Sequence, residues 1–122
     1  MSQMYQLDLT NNRQYAMWVE SGIQFRSNLL MCDGATVEQH THDFPHVSLI
    51  TWGWLWCTTV SPTGEVNRFQ VASKGFKPEN TVIHFNPKTY RITVPAFYQH
   101  SFEVIECQGQ PAEILCLFPE IS

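Results

Sequence analysis

Short runs rich in Val, Ile, Thr and aromatic residues, separated by turn residues such as Gly, Pro and Asn, cover most of this 122-residue chain. Such runs are typical of strands joined by tight turns. Apolar residues at helical spacing occur only weakly, over 11–19. The sequence therefore predicts an all-β sandwich or barrel. The predicted strands are residues 17–20, 23–26, 29–32, 35–42, 46–60, 66–71, 81–85, 90–94, 100–107 and 114–118.

Length and charge narrow the possible partners. The length fits one domain, and the net charge of −4 comes without any Lys/Arg cluster that would bind nucleic acid. The longest apolar run, 49–60, is too short to span a bilayer, and the N-terminus lacks the basic and apolar regions of a secretory signal. We therefore expect a cytoplasmic protein without nucleic-acid or membrane partners.

Four cysteines, at positions 32, 57, 107 and 116, are scattered along the chain without a Cys-x-x-Cys pair. This spacing is not that of a zinc ribbon. A cytosolic chain keeps its thiols reduced, so we predict that the cysteines are small apolar core residues.

Three of the five histidines fall within seven positions, at His40, His42 and His46. Their four-residue spacing at 42 and 46 would suit a helix, but Pro45 removes a backbone donor and pushes the preceding residue out of the helical region. We therefore predict a turn over 43–45 between two strands. On a strand, His40 and His42 point to one face with Cα atoms about 6.5–7 Å apart, so both imidazoles can reach one ion.

Two more histidines can face the same interior. His46 opens the returning strand, and His100 follows a turn at the start of another strand. Phe102 and Val104 share the parity of His100 and should also face inwards, whereas Glu103 should point away. From the residues alone, two other interpretations stay open: ordinary surface or core histidines, and a buried polar network.

The spacing resembles the first cupin motif, Gly-x5-His-x-His-x3,4-Glu-x6-Gly. In this chain the five positions are occupied by Gly34, His40, His42, His46 and Gly53. Every interval fits, and His46 stands where the family usually has glutamate.

The second cupin motif, Gly-x5-Pro-x-Gly-x2-His-x3-Asn, is matched in part. Pro95 and His100 fit, while Thr89, Phe97 and Val104 stand where the family has its two glycines and its asparagine. The resemblance to a small cupin therefore rests on one complete motif and one partial motif.

The resemblance implies a jelly-roll β-barrel spanning residues 1–122 as a single domain. It also implies one divalent transition metal, held by the four ligands His40, His42, His46 and His100. Four neutral imidazoles leave the 2+ charge uncompensated, so the ion would be a strong Lewis acid and attract anions. Iron is the metal expected first, and Mn, Zn, Ni and Cu remain open because imidazole suits several of them.

Two residues outside this set are candidate catalytic groups. His84, on the predicted strand 81–85, could contact a substrate, and Tyr98 could supply a hydroxyl near the metal as an acid or a hydrogen-bond donor. The alternative for both is ordinary packing at a sheet surface or in a turn.

Tryptophans lie close to the histidines along one strand. If no bulge intervenes, Trp52, Trp54 and Trp56 share the parity of His46 and wall a pocket; a bulge at Gly53 would break this register. Core packing or a subunit interface are the alternatives. The strand is apolar on its other face as well, which indicates cover from a second sheet or another copy. Together with the resemblance, this favours a homodimer.

Three functions follow from these patterns. The first is a metal-dependent enzyme acting on a small organic molecule, with oxygen-dependent, dioxygenase-type chemistry at a non-haem iron placed first. The second is a non-redox lyase or isomerase, in which the metal polarises a carboxylate and a side chain removes a proton. The third is a non-catalytic cupin that binds a small-molecule ligand.

Overall fold

The structure is a computed structural model that describes residues 5–8 and 13–119, with side chains from residue 14 onwards. These residues form strands joined by turns, and they include no helix that could cross a membrane. Of the weak helical pattern at 11–19, residues 11 and 12 lie outside the described residues and the others are in a strand. The strands are β1 Tyr5–Asp8, β2 Arg13–Glu20, β3 Ile23–Leu30, β4 Thr36–Thr41, β5 His46–Trp52, β6 Trp54–Val60, β7 Val66–Ala72, β8 Pro87–Thr89, β9 Arg91–Val94, β10 Gln99–Glu106 and β11 Ala112–Pro119.

The strands form two sheets that share one core. One sheet has the order β1-β2-β3-β11-β5-β9, and the other has the order β4-β10-β6-β7-β8. Apolar residues from both sheets, such as Ile50 and Ile114 from the first and Leu55 and Val104 from the second, are buried in a single cluster. The predicted all-β jelly-roll architecture is therefore confirmed.

The structure differs from the predicted strands at 23–32 and at 81–85. Residues 23–26 and 29–32 were predicted as separate strands, but β3 runs without interruption from Ile23 to Leu30. Residues 81–85 form no strand. The Asn80 Oδ1 accepts hydrogen bonds from the backbone N–H groups of Val82 and Ile83 at 2.8 and 3.4 Å. This local turn takes donors that a strand would use in its ladder.

Gly53 divides the predicted strand 46–60 into β5 and β6. Its φ of 112° lies in a region that side chains rarely adopt, and the inward parity changes just before it, where one extra residue lies between Ile50 and Trp52. His46 and Ile50 face inwards on β5, whereas Leu55 and Cys57 do so on β6. The inner face thus moves from even to odd residue numbers across the glycine.

The change of parity turns the tryptophans away from the histidines. Trp54 is completely buried in a second apolar cluster, with Trp52 and Trp56 packed at its edge. The Trp54 indole N–H donates to Gln70 at 2.9 Å. The prediction that the tryptophans wall the histidine pocket is therefore wrong, because an extra residue between Ile50 and Trp52 breaks the register just before Gly53.

Other predictions of side-chain direction hold. Phe102 and Val104 are buried in the main core, and Glu103 points outwards, 3.9 Å from Arg68. All four cysteines are free. Three of them are buried as predicted, but Cys32 is exposed because it lies beyond the end of β3.

Replacing Gly53 with alanine should destabilise the protein. The new Cβ would lie 2.8 Å from the Ala112 Cβ, in addition to the strain of the positive φ. We expect a loss of about 2–4 kcal/mol in the free energy of unfolding, measured by denaturant titration. Gly64→Ala is the matched control, since it has a φ of 90° and no atom within 4 Å of the new Cβ. Equal losses of unfolding free energy in both variants would exclude the contact with Ala112 as the cause.

Thiol titration of the native protein should detect one fast-reacting cysteine, Cys32. Burial raises the pKa of Cys57 to about 12 and those of Cys107 and Cys116 to about 11, so these three thiols stay protonated and unreactive. All four should react in denaturant, and Cys32→Ser should remove the fast phase. A fast phase that survives this substitution would contradict the burial pattern.

Candidate metal centre

Strand pairing brings the four predicted ligands to one end of the two sheets. His40 on β4 lies directly opposite His100 on β10 in the antiparallel ladder. His42 follows the end of β4, where its carbonyl oxygen accepts the Phe97 N–H at 2.8 Å. His46 opens β5 in the other sheet. Both sheets therefore contribute imidazoles to the same end of the interior.

The histidine rings are close enough to form one cluster. One ligand atom each from His40, His42 and His100 lie within 4.8 Å of one another, a grouping that could hold a metal ion. His46 lies outside this group of three, but its ring centroid is 5.1 Å from that of His42 and 4.7 Å from that of His100. The His40 and His100 centroids are 4.0 Å apart.

Hydrogen bonds and burial define the state of the ring nitrogens in the cluster. The His40 Nδ1 lies 2.7 Å from the carbonyl oxygen of Glu38. Because a carbonyl oxygen only accepts, Nδ1 carries the hydrogen and Nε2 keeps its lone pair. Both ring nitrogens of His46 and the Nδ1 of His100 are buried without a hydrogen-bond partner among the residues that the structure describes. Each such atom costs about 1–3 kcal/mol, so the cluster is incomplete without a ligand.

The environment keeps the imidazoles neutral. Burial, reinforced by the neighbouring histidines, lowers the pKa of His100 to about 2. Burial and nearby positive charge, including that of Arg26, lower the pKa values of His42 and His46 to about 4. At neutral pH each of these three rings is therefore uncharged and has one nitrogen with a free lone pair. This neutral form is the one that binds metals.

The cluster opens into a cavity of about 390 Å³ between the two sheets. This volume lies in the range of small-molecule sites. Besides the four histidines, the cavity is lined by apolar side chains, among them Phe118, whose ring stacks on His46 with centroids 4.6 Å apart. Its other polar lining residues are Tyr15, Arg26, Asn28, Glu38 and Gln39.

These polar lining residues were not predicted from the sequence. Glu38 lies two residues before His40, so its position on the same strand was a usable signal. Tyr15 and Arg26 come from β2 and β3, whose sequences show no motif that would link them to the histidines. Only the packing of the two sheets places them in the cavity.

The two candidate catalytic residues do not line this cavity. His84 is exposed in the segment between β7 and β8, where its carbonyl oxygen accepts the Gln70 amide at 2.7 Å. Tyr98, in the turn between β9 and β10, is half-buried and packs against the main core. Tyr98 is close to His100 along the chain, but the structure brings neither residue into the lining.

Comparison with known proteins identifies the fold. No protein-family model and no curated protein matches the sequence. Among solved structures, a variant of Bacillus subtilis oxalate decarboxylase superposes with a TM-score of 0.72 at 15% identity over 97% of this chain. A structure of the same enzyme concerned with its Mn(II) centres gives 0.72 at 16% identity. CapF in complex with 3-isopropenyl-tropolone gives 0.69 at 12% identity over 98% of this chain.

These likenesses define the class of protein. The chain has the cupin fold, and its histidine cluster is suited to a metal ion. It spans 27% of the oxalate decarboxylase chain and 31% of CapF. The sequence resemblance to a small cupin is thus confirmed at the level of the fold.

The metal-free protein should lose stability as the pH falls from 7 to 5. His42 and His46 have folded pKa values of about 4, below the value of about 6.5 in an unfolded chain. The unfolded state therefore binds protons first, so stability is complete above pH 6.5 and is lost as the pH falls towards 4. After allowance for screening, the expected loss at pH 5 is on the order of 2 kcal/mol.

Chemical denaturation at several pH values checks this prediction. His46→Gln should flatten the pH dependence, whereas His84→Gln, outside the cluster, should leave it unchanged. The same slope in wild type and His46→Gln would place its origin elsewhere.

Proposed function

We propose that this chain binds one divalent transition metal through His40, His42 and His100, with His46 as the fourth ligand. The observation that carries this proposal is the set of buried, unpartnered nitrogens on His46 and His100. A polar group without a partner is costly in an interior. Coordination uses one lone pair on each ring and removes part of that cost.

The donor set is compatible with several transition metals. All four proposed ligands are imidazoles, which suit Fe, Zn, Cu and Ni, and affinity order alone does not decide among them. Iron remains the metal proposed first, with Mn, Zn, Ni and Cu as alternatives. The oxalate decarboxylase that shares the fold is described with Mn(II) centres, so a divalent metal is compatible with this architecture.

We propose that the metal site belongs to an enzyme acting on a small organic molecule, with dioxygenase-type chemistry favoured. A bound redox metal would supply electron transfer and Lewis acidity. The chain itself would hold the ion with neutral rings, and Phe102, Ile114 and Phe118 would limit water in the cavity. His84 and Tyr98, the bases of the predicted lyase, do not line the cavity, and this weakens that form of the alternative.

A non-redox lyase or isomerase stays a candidate through other residues. Tyr15 and Glu38 line the cavity, and a phenol or a carboxylate there could move a proton. The need for oxygen separates the two enzymes, because the lyase would work anaerobically and with zinc or nickel. Tight ligand binding without turnover would favour the third function, a non-catalytic cupin.

We also propose a homodimer in the cytoplasm. The outer face of the six-stranded sheet carries half-buried apolar residues, among them Trp18 stacked on Phe25 with ring centroids 5.5 Å apart. Val47 and Leu49 continue this face on β5. A second copy of the chain could cover this outer face. Light scattering after size exclusion would measure the molecular mass and so distinguish a dimer from a monomer.

Protein purified without a histidine tag or added metal should contain about one transition-metal ion per chain by elemental mass spectrometry. His42→Ala and His100→Ala should each reduce that content at least tenfold, because each removes a central ligand. His84→Ala is the matched control and should retain the metal, since His84 is exposed and outside the cavity. A metal-free protein that also fails to take up added Fe(II) would overturn the proposal.

A further inference from the structure

The cavity holds an arginine that the proposed metal site does not use. Arg26, on β3, is half-buried and lies over the ring of Phe118, with its Cζ 4.3 Å from the ring centroid. Its Nε donates to the Gln24 side chain at 3.0 Å. One edge of the guanidinium is thereby anchored, and its terminal nitrogens are left for another partner.

Among the residues that the structure describes, none accepts a hydrogen bond from those terminal nitrogens or forms an ion pair with them. Burial lowers the pKa of Arg26, so the group has lost part of its hydration. A partly buried cation without a counter-charge is unfavourable. This side chain is therefore oriented but not neutralised.

Phe118 connects the arginine with the histidines. The same phenyl ring that carries the guanidinium stacks on His46 with an interplanar angle of 22°. Arg26 and the four histidines also line one cavity. A small molecule can therefore contact the guanidinium at one end and the histidine cluster at the other.

The charges of the cavity favour an anion. Arg26 contributes one positive charge to the lining of the cavity. Glu38 is the one carboxylate among the lining residues that the structure describes. A divalent ion at the cluster adds two positive charges, so the loaded site has an excess of positive charge that an anionic ligand would offset.

We propose that the cavity binds a small organic acid, whose carboxylate pairs with the terminal nitrogens of Arg26 while a second oxygen group faces the histidine cluster. The second contact rests on the proposed metal function, and the first does not. The planar guanidinium fork matches a carboxylate in a two-bond geometry. The apolar walls suit the carbon part of such a ligand better than a phosphate, and this all-β site has no helix N-terminus of the kind that often binds phosphate.

Titration calorimetry with malonate tests this inference. Malonate offers one carboxylate to Arg26 and one to the metal, so Arg26→Gln should weaken its binding to the loaded protein at least tenfold. Arg26→Lys keeps the positive charge but loses the two-pronged guanidinium geometry, so its malonate affinity should lie between those of wild type and Arg26→Gln. Arg68→Gln is the matched control, because Arg68 is an exposed arginine over Trp56 outside this cavity. Malonamide and inorganic phosphate should bind weakly to all forms.

Metal content and melting temperature, measured on each sample, separate the two proposals. Metal-loaded protein whose malonate affinity is the same in wild type and Arg26→Gln overturns the acid site and leaves the metal site intact. Protein that takes up no added metal but binds malonate only when Arg26 is present supports the acid site and overturns the metal site. A chain that takes up no metal and binds no malonate overturns both, and preferential phosphate binding overturns the choice of a carboxylate.

Discussion

The antiparallel pairing of β4 with β10 is the constraint on which the site depends most. It sets His40 opposite His100, the register then shifts by one residue between His100 and Phe102, and the residues just before β4 remain bonded to β10. The N–H of Val104 donates to the Ala35 carbonyl at 2.9 Å, and the N–H of Gly34 donates to the Val104 carbonyl at 2.8 Å. Because a one-residue slip would turn every side chain to the other face, this register decides which imidazoles meet.

The six-stranded sheet completes the histidine cluster and encloses it. β5 brings His46 against the cluster, and β11 covers it with Phe118. Enclosure removes water from the rings, so burial keeps them neutral and leaves nitrogens of His46 and His100 without partners. Folding therefore creates a group of lone pairs that a metal ion can satisfy.

Gly53 separates this polar end of the fold from an aromatic region. The change of inward parity between Ile50 and Trp52, just before the glycine, lets β5 present His46 to the cavity while β6 sends Trp54 into a separate apolar cluster. Contact of the backbone with Ala112 leaves no room for a side chain. One continuous strand would have directed both the histidine and the tryptophans into one space, which would have filled the cavity.

The sequence by itself determined the all-β class, the histidine spacing and the inward parity of Phe102 and Val104, because alternation and turn residues act over a few neighbouring positions. The turn at Pro45 could also be predicted, since proline constrains the backbone locally. It could not determine that residues 81–85 lack a strand, where the Asn80 side chain competes with the ladder. Nor could it place Arg26, Tyr15 and Glu38 in one cavity or turn the tryptophans away. Only tertiary structure decided these points, because they depend on which strands pair, on the register shift between Ile50 and Trp52 and on how two sheets pack across a shared core.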